Sequence, residues 1–285
     1  MQKYILMRER SARACLRSEL GDEQFRDSAL VIVGHGSTLN PDSSVPTYQH
    51  ASEIRKKGLF AEVEVCFWKE QPPMSDVFHS LDSREVFIVP NFISEGYFTD
   101  RVIPRELGLQ GKVTCSQGRT LRYCPPVGSH PFMTQLLLKR AAEVAPGIDT
   151  SKSALLIVGH GTSLNDNSAS AAKTQVALIR ELGIYGQVES TYMEEPPLVS
   201  EWDSLTEFPT VIVVPFFIAD GLHSYQDIPV LLGINKELGP AASQAEVFLK
   251  NPHFLRGRTL YYASAIGTES GFADIIVDQA RRAPR

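Results

Sequence analysis

A chain of 285 residues, 43 % apolar and 21 % charged, has room for two ordinary domains or one large one and the composition of a folded protein. Its formal net charge of −5 weighs against a nucleic-acid partner, which would need clustered cations against phosphates. No segment approaches the ~18–20 apolar residues of a membrane span, so no membrane partner is expected. Four cysteines, Cys15, Cys66, Cys115 and Cys124, form no C-x-x-C pair. Cys66 and Cys124 lie in apolar runs and read as buried thiols. The first twenty residues are too charged for a signal peptide. Together these features predict a soluble protein of a reducing cytoplasm.

In chain order, residues 1–27 form an N-terminal extension in which Ile5, Leu6, Ala12, Leu16 and Leu20 allow a short amphipathic helix. Residues 28–36 read as a buried strand ending in Gly-His-Gly, and Pro41 and Pro46 mark the loop after it. A helix is expected over 48–57, strands over 62–68 and 85–92, at most a short helix over 77–81, and a strand over 120–127. Phe132, Leu136, Leu137 and Ala141 recur at helical spacing within 131–144, with Pro131 tolerated in the first turn. Pro146, Gly147 and Asp149 make a linker. The order then repeats: a strand over 154–158, a helix over 171–182, strands over 187–193 and 210–217, and a helix over 227–238 with Asp227 as its N-cap. A strand over 259–265 and a helix over 267–282 follow.

The repetition is literal. ALVIVGHGSTLN at 29–40 returns as ALLIVGHGTSLN at 154–165, an offset of 125 residues. At that offset Asn40 falls on Asn165, Glu64 on Glu189, Pro90 on Pro215, Gly96 on Gly221 and Pro104 on Pro229. Later Gly128 matches Gly267, so the second half holds about fourteen extra residues near GPAASQAEVFLKNPHF. The halves therefore read as lobe 1 (28–147) and lobe 2 (154–285). Each alternates strands with helices, and its first and third strands are apolar nearly throughout, the pattern of a parallel sheet covered on both faces. The expected fold is α/β: two duplicated lobes, each a mostly parallel four-stranded sheet flanked by helices, with ligand at the carboxyl ends of the strands.

If the strand order is 2-1-3-4, three side chains of lobe 2 rise at one sheet edge: His160 after its first strand, Glu194 after its second and His223 after its third. Two imidazoles and a carboxylate suit a borderline divalent ion such as cobalt, iron, nickel or zinc, and they suit proton removal near neutrality. Structural readings compete. His160 between glycines can be a turn residue bonded to a carbonyl, His223 a solvated loop residue, and Glu194 plain surface charge beside Glu195. Asp220 and Glu189 are reserves. Gly159, Gly161 and Gly221 stand where backbone turns sharply or approaches a flat ligand closely. Lobe 1 keeps His35 but has Lys69 in place of Glu194 and Phe98 in place of His223. Lysine disfavours a nearby cation and phenylalanine cannot ligate one, with Glu64, Glu70 and Glu95 as partial substitutes. Lobe 2 thus carries the more complete site. Neither a phosphate loop, a dinucleotide fingerprint nor a hydrolase elbow is present.

LLIVGHGTSLN, STYMEEPPL and VVPFFIADGLHSYQDIP together resemble the sirohydrochlorin chelatase family, the CbiX and SirB group of cobalt and iron chelatases. The likeness covers 154–233 well and 29–104 more loosely. It implies a class II chelatase fold, two lobes across a cleft, and ATP-independent insertion of Co²⁺ or Fe²⁺, or Ni²⁺, into sirohydrochlorin or a related tetrapyrrole in cobalamin or sirohaem synthesis. The metal would be a substrate, with no cofactor permanently bound. By similarity His160 and His223 bind the ion and take pyrrole protons, Glu194 assists, and His35 is a weaker candidate ligand. Arg101, Lys173 and Arg180 are candidate donors to the acidic rim of the macrocycle. The changes at Lys69 and Phe98 depart from the family pattern and leave a non-catalytic tetrapyrrole- or metal-binding protein as the alternative. One chain supplies both lobes, so either a monomer or a homodimer is compatible.

Overall fold

The computed structural model describes residues 22–161, 167–237 and 245–284. The helix expected near Leu16, Cys15, the Thr/Ser-rich turn after Gly161 and Leu238 lie outside the described residues. The lobe 1 strands are β1 (Ser28–Gly34), β2 (Glu62–Phe67), β3 (Glu85–Pro90), β4 (Val113–Ser116) and β5 (Arg119–Tyr123). Those of lobe 2 are β6 (Ser153–Gly159), β7 (Gln187–Tyr192), β8 (Thr210–Pro215), β9 (His253–Leu255) and β10 (Arg258–Tyr262). The longer helices are α1 (Val45–Lys57), α2 (Met133–Val144), α3 (Asn167–Leu182) and α4 (Phe272–Arg281).

Each sheet contains the four parallel strands expected, in the order 2-1-3-4, plus a fifth edge strand: β2-β1-β3-β5-β4 and β7-β6-β8-β10-β9. The fifth strand is antiparallel in both. It is joined to its neighbour by a two-residue turn, Gln117-Gly118 or Arg256-Gly257, with both central residues at positive φ. That is the hairpin geometry matching strand twist, built here without the usual Asn or Asp, which is why composition did not announce it. β1 and β6 are buried along their whole length, as strands covered by helices on both faces must be.

The second correction concerns 227–238. A single π-helical turn, His223–Asp227, precedes a short helix, Ile228–Leu232, which stops at Gly233 with φ +85°. Asp227 makes no capping bond. Lobe 1 repeats the π turn at Phe98–Val102.

Side-chain alternation divides the core. Ala29, Val31 and Val33 of β1 face the outer layer of lobe 1, whereas Leu30 and Ile32 face inward. The inward side chains of both sheets, with α1, α2, α3 and α4, form one continuous core through the two lobes. Its continuity comes from an exchange of terminal helices. α2, which ends the first half, packs on β8 and α3 of the second; α4, which ends the second, packs on β3 and α1 of the first. Polar bonds fix the exchange. His130 Nε2 meets Asp278 Oδ2 at 2.8 Å, Thr134 Oγ1 donates to Gln175 Oε1 at 2.6 Å, and Gln279 Nε2 donates to the Pro126 carbonyl at 2.8 Å. The hydrogen bond from His130 is the main cause holding the Asp278 carboxyl below the usual carboxylate range. Buried Glu269 receives Lys139 at 2.6 Å and Arg140 at 2.9 Å. The lobes are thus clamped in one relation across the cleft between them. Cys66 and Cys124 are buried, and burial pushes each thiol up to about 12. Among the described residues no helix is long and apolar enough to cross a membrane.

Candidate active site

A cleft of about 640 Å³ opens where the carboxyl ends of β1, β3, β6 and β8 meet. Its lobe 1 wall carries His35, Asn40, Lys69 and Asn91; its lobe 2 wall carries His160, Phe217, Gly221 and His223. Sequence reasoning placed His160 and His223 together, and the structure does so. Their rings lie edge to face with centroids 5.0 Å apart. The His160 Nδ1 lies 2.8 Å from the Gly161 carbonyl, and a carbonyl only accepts, so Nδ1 carries the proton. His223 Nδ1 lies 2.6 Å from Asp227 Oδ2. Both δ nitrogens are therefore engaged as donors, which leaves the two Nε2 atoms as the ring positions that can take an ion. Two imidazoles sharing one ion through Nε2 at ~2.0–2.1 Å and a tetrahedral angle have ring centres about 5 Å apart, which is the spacing found.

Glu194 stands farther out. Its Oε1 is 3.7 Å from His160 Nε2, near the roughly 3.4 Å that separates two donors on a tetrahedral ion, but its side chain does not line the cleft. Among the described residues no set of three or more His, Cys, Asp or Glu is spaced to hold an ion. In this geometry the two histidines stand together and Glu194 lies outside the cleft lining.

The glycines divide. Gly161 has φ +71°, and a side chain there would also strike Tyr192 and Glu195, each at 2.8 Å. Gly159 packs against the Tyr192 ring, whereas Gly221 has room for a methyl group beside Ser43 of the other lobe.

Lobe 1 reproduces the frame with different chemistry. His35 Nδ1 bonds the Gly36 carbonyl at 2.8 Å, and Phe98 packs edge-on against His35 with centroids 4.9 Å apart. Phe98 thus occupies the place of His223. It stacks with Phe92 and meets Trp68 edge-on. Glu70 does not substitute as a ligand, since it accepts from the Ser44 hydroxyl at 2.6 Å and the Ser37 N–H at 3.3 Å. Glu64 and Glu189 pair with Arg55 and Arg180.

None of the three candidate rim donors lines the cleft. Arg180 is held by Glu189 and the Val188 carbonyl, Lys173 lies over the Tyr192 ring, and Arg101 lines a separate hollow beside Asp100 and Arg105. Lys69 is the cation in the cleft wall. Sequence reasoning also missed Asp227 as the partner of His223. The signal was present, because a carboxylate four residues along a helical turn lies on the same face.

Asp220 is structural. It is buried and accepts the Ala265 N–H at 2.6 Å. Burial, helped by the charge of Asp42, pushes its carboxyl up to about 6. Its folded pKa lies above its ordinary 3.8, so the folded state holds more protons, and stability falls as pH rises from about 4 to 6. Asp220→Asn is expected to remove that part of the slope, read as a difference in urea midpoints between pH 4 and pH 7 relative to wild type.

The two-lobed α/β architecture, with its site between strand ends, is that of the chelatases. A multi-domain chelatase-like protein of Deinococcus radiodurans superposes with a TM-score of 0.73 at 28 % identity, over 89 % of this chain; the chain spans 54 % of that protein's length. The siroheme-pathway CbiX of denitrifying bacteria shares the fold at 20 % identity and a TM-score of 0.63, over 90 % of this chain and 100 % of the other. The chain belongs to the CbiX family, whose model matches residues 29–144 and again 154–283. It is 39 % identical over 270 residues to a probable sirohydrochlorin cobaltochelatase of Halobacterium salinarum, covering 88 % of this chain and 90 % of that one. A sirohydrochlorin cobaltochelatase of Methanopyrus kandleri aligns at 28 % identity over 138 residues, 46 % of this chain but 96 % of its own length, so the relative corresponds to one half of this chain.

Proposed function

We propose that this chain inserts a divalent ion, Co²⁺ or Fe²⁺, into sirohydrochlorin or a related tetrapyrrole without ATP, as a step of cobalamin or sirohaem synthesis. The observation that carries the reading is the His160–His223 pair, with both Nδ1 atoms tied back and ring centres 5.0 Å apart in a cleft between lobes. The sirohydrochlorin cobaltochelatases similar to this chain give the substrate class.

The chemistry balances at the histidines. The ion enters on the two Nε2 lone pairs, with Glu194 as an added oxygen donor. As each metal–imidazole bond is replaced by a metal–pyrrole bond, the freed Nε2 becomes a base. It takes the proton that the pyrrole nitrogen must lose. Two N–H protons leave the macrocycle, one divalent ion enters, and no redox step or leaving group is required. Asp227 stabilises the imidazolium that His223 becomes and keeps its Nδ1–H in place. Asp227→Asn is accordingly expected to lower kcat for Co²⁺ insertion by about tenfold to a hundredfold while leaving macrocycle binding unchanged.

The test is anaerobic mixing of Co²⁺ or Fe²⁺ with sirohydrochlorin, followed by absorbance, with and without the protein. Acceleration over the uncatalysed rate supports the reading. Tight macrocycle binding with no acceleration by either ion would make the chain a carrier instead.

A further inference from the structure

The halves share a backbone frame and carry opposite charges at one position of it. The Lys69 N–H donates to the His35 carbonyl at 2.8 Å, as the Glu194 N–H donates to the His160 carbonyl at 3.2 Å. The two side chains therefore leave equivalent points, one as an ammonium and the other as a carboxylate. Beside Lys69, Phe98 has removed the second imidazole. An ammonium at this place repels a divalent ion and attracts an anion.

Lys69 is available for that task. It is exposed, its recorded side-chain contact is the Trp68 ring at 5.5 Å, and no described carboxylate forms an ion pair with it. Among the described residues lining the cleft it is the one lysine or arginine. A second observation on the same wall points to the same ligand chemistry. Asn40 is 2 % exposed, and its Nδ2 has no partner. Its Oδ1 accepts the Asp42 N–H at 2.8 Å, so the amide orientation is set and the NH₂ is the spare end. Lys69 thus gives this wall an exposed cation opposite the metal-binding pair, with a buried, unpaired amide donor at Asn40 along the same cleft.

We propose that the lobe 1 counterpart of the metal site is a carboxylate subsite, in which Lys69 takes one peripheral carboxylate of the macrocycle and so fixes the edge of the ring that faces lobe 1. The inference rests on the reading of the cleft as a tetrapyrrole site. It adds to that reading an orientation: the ring is seated by its rim on lobe 1 while its nitrogens meet His160 and His223. A macrocycle lacking the rim carboxylate would lose the anchor. Lys69 is on this account a specificity-determining residue, not a proton acceptor.

The experiment uses the full chain and metal-free sirohydrochlorin as the probe. Kd is read by absorbance titration at low and high salt, and kcat and KM for Co²⁺ insertion are measured in parallel. Lys69→Met, which keeps the stem over Trp68, is expected to raise Kd and KM about fivefold at low salt with kcat retained, the range of a partly solvated ion pair. Lys69→Arg is expected to restore binding, and Lys69→Glu to weaken it further than Lys69→Met. The gap between wild type and Lys69→Met should close as salt shortens the screening length. Equal Kd values for wild type, Lys69→Met and Lys69→Glu would overturn the proposal, as would a gap unaffected by salt. Wild type that binds sirohydrochlorin but inserts no metal removes the chelatase reading and leaves the Lys69 comparison intact in Kd. Wild type that does not bind the macrocycle removes both.

Discussion

His223→Ala is expected to lower kcat for Co²⁺ insertion by ~10²-fold or more, the range for a positioned acid–base group that also holds the reacting ion. His160→Ala should do the same. The reason is geometric. The rings are 5.0 Å apart with their δ nitrogens tied back to Asp227 and the Gly161 carbonyl, so on the proposed reading the two Nε2 atoms share one ion. Removing either leaves a single nitrogen, which neither holds a divalent ion in place nor supplies a base for the second pyrrole proton. Groups that act as one unit do not add. The double variant His160→Ala/His223→Ala should therefore fall little below either single one. His35→Ala, in the half where Phe98 has displaced the second imidazole, should stay near wild type. The measurement is initial-rate absorbance under anaerobic conditions, with circular dichroism to confirm folding. Loss of rate in His35→Ala alone would assign the chemistry to the wrong lobe here.

The internal duplication makes much of this architecture legible in the sequence. Apolar runs ending in Gly-His-Gly set β1 and β6 as central buried strands, and parallel-sheet topology then placed His160 and His223 at neighbouring strand ends. What escaped was local. The edge strands β4 and β9 are short, with Gln-Gly and Arg-Gly turns that carry little compositional signal. Asp227 followed by Ile-Pro has the spacing of a cap, so the sequence points to a helix starting there and gives no sign of the π turn at His223–Asp227. His223 and Asp227 lie four residues apart on that turn and so share a face, and the carboxylate serves the imidazole and not the helix. The exchange of α2 and α4 between lobes had no sequence signal at all, since both helices are amphipathic in the ordinary way and only tertiary packing decides which sheet they cover. Lys69 was visible as the loss of a ligand; that it lines the cleft required the other half to be seen beside it.

Gly267→Ala and Gly128→Ala are expected to be the most destabilising single substitutions of those considered, at about 3 kcal/mol or more each, the upper range for overpacking that must displace backbone. A methyl carbon on Gly267 would lie 2.0 Å from the Ile218 carbonyl oxygen, and one on Gly128 would lie 1.7 Å from that of Ile93. These obstacles are main chain, so no rotamer change relieves them. Nor can Gly267 retreat. Its N–H donates to the Phe217 carbonyl at 2.9 Å, and its own carbonyl meets His50 Nε2 at 2.7 Å across the lobe boundary. The two glycines press on different loops, which separates packing from function. The Ile218 loop leads directly into Gly221 and His223, whereas the Ile93 loop leads into Phe98. Both variants should lose several degrees in thermal midpoint. At a temperature where both remain folded, Gly267→Ala should also lose insertion rate, because its clash moves His223 relative to His160. Gly128→Ala should retain the rate and show its damage in stability, with a smaller change in macrocycle binding on the Lys69 wall. Equal losses of rate in the two would mean that the lobes transmit strain as one body and that the site is not confined to lobe 2.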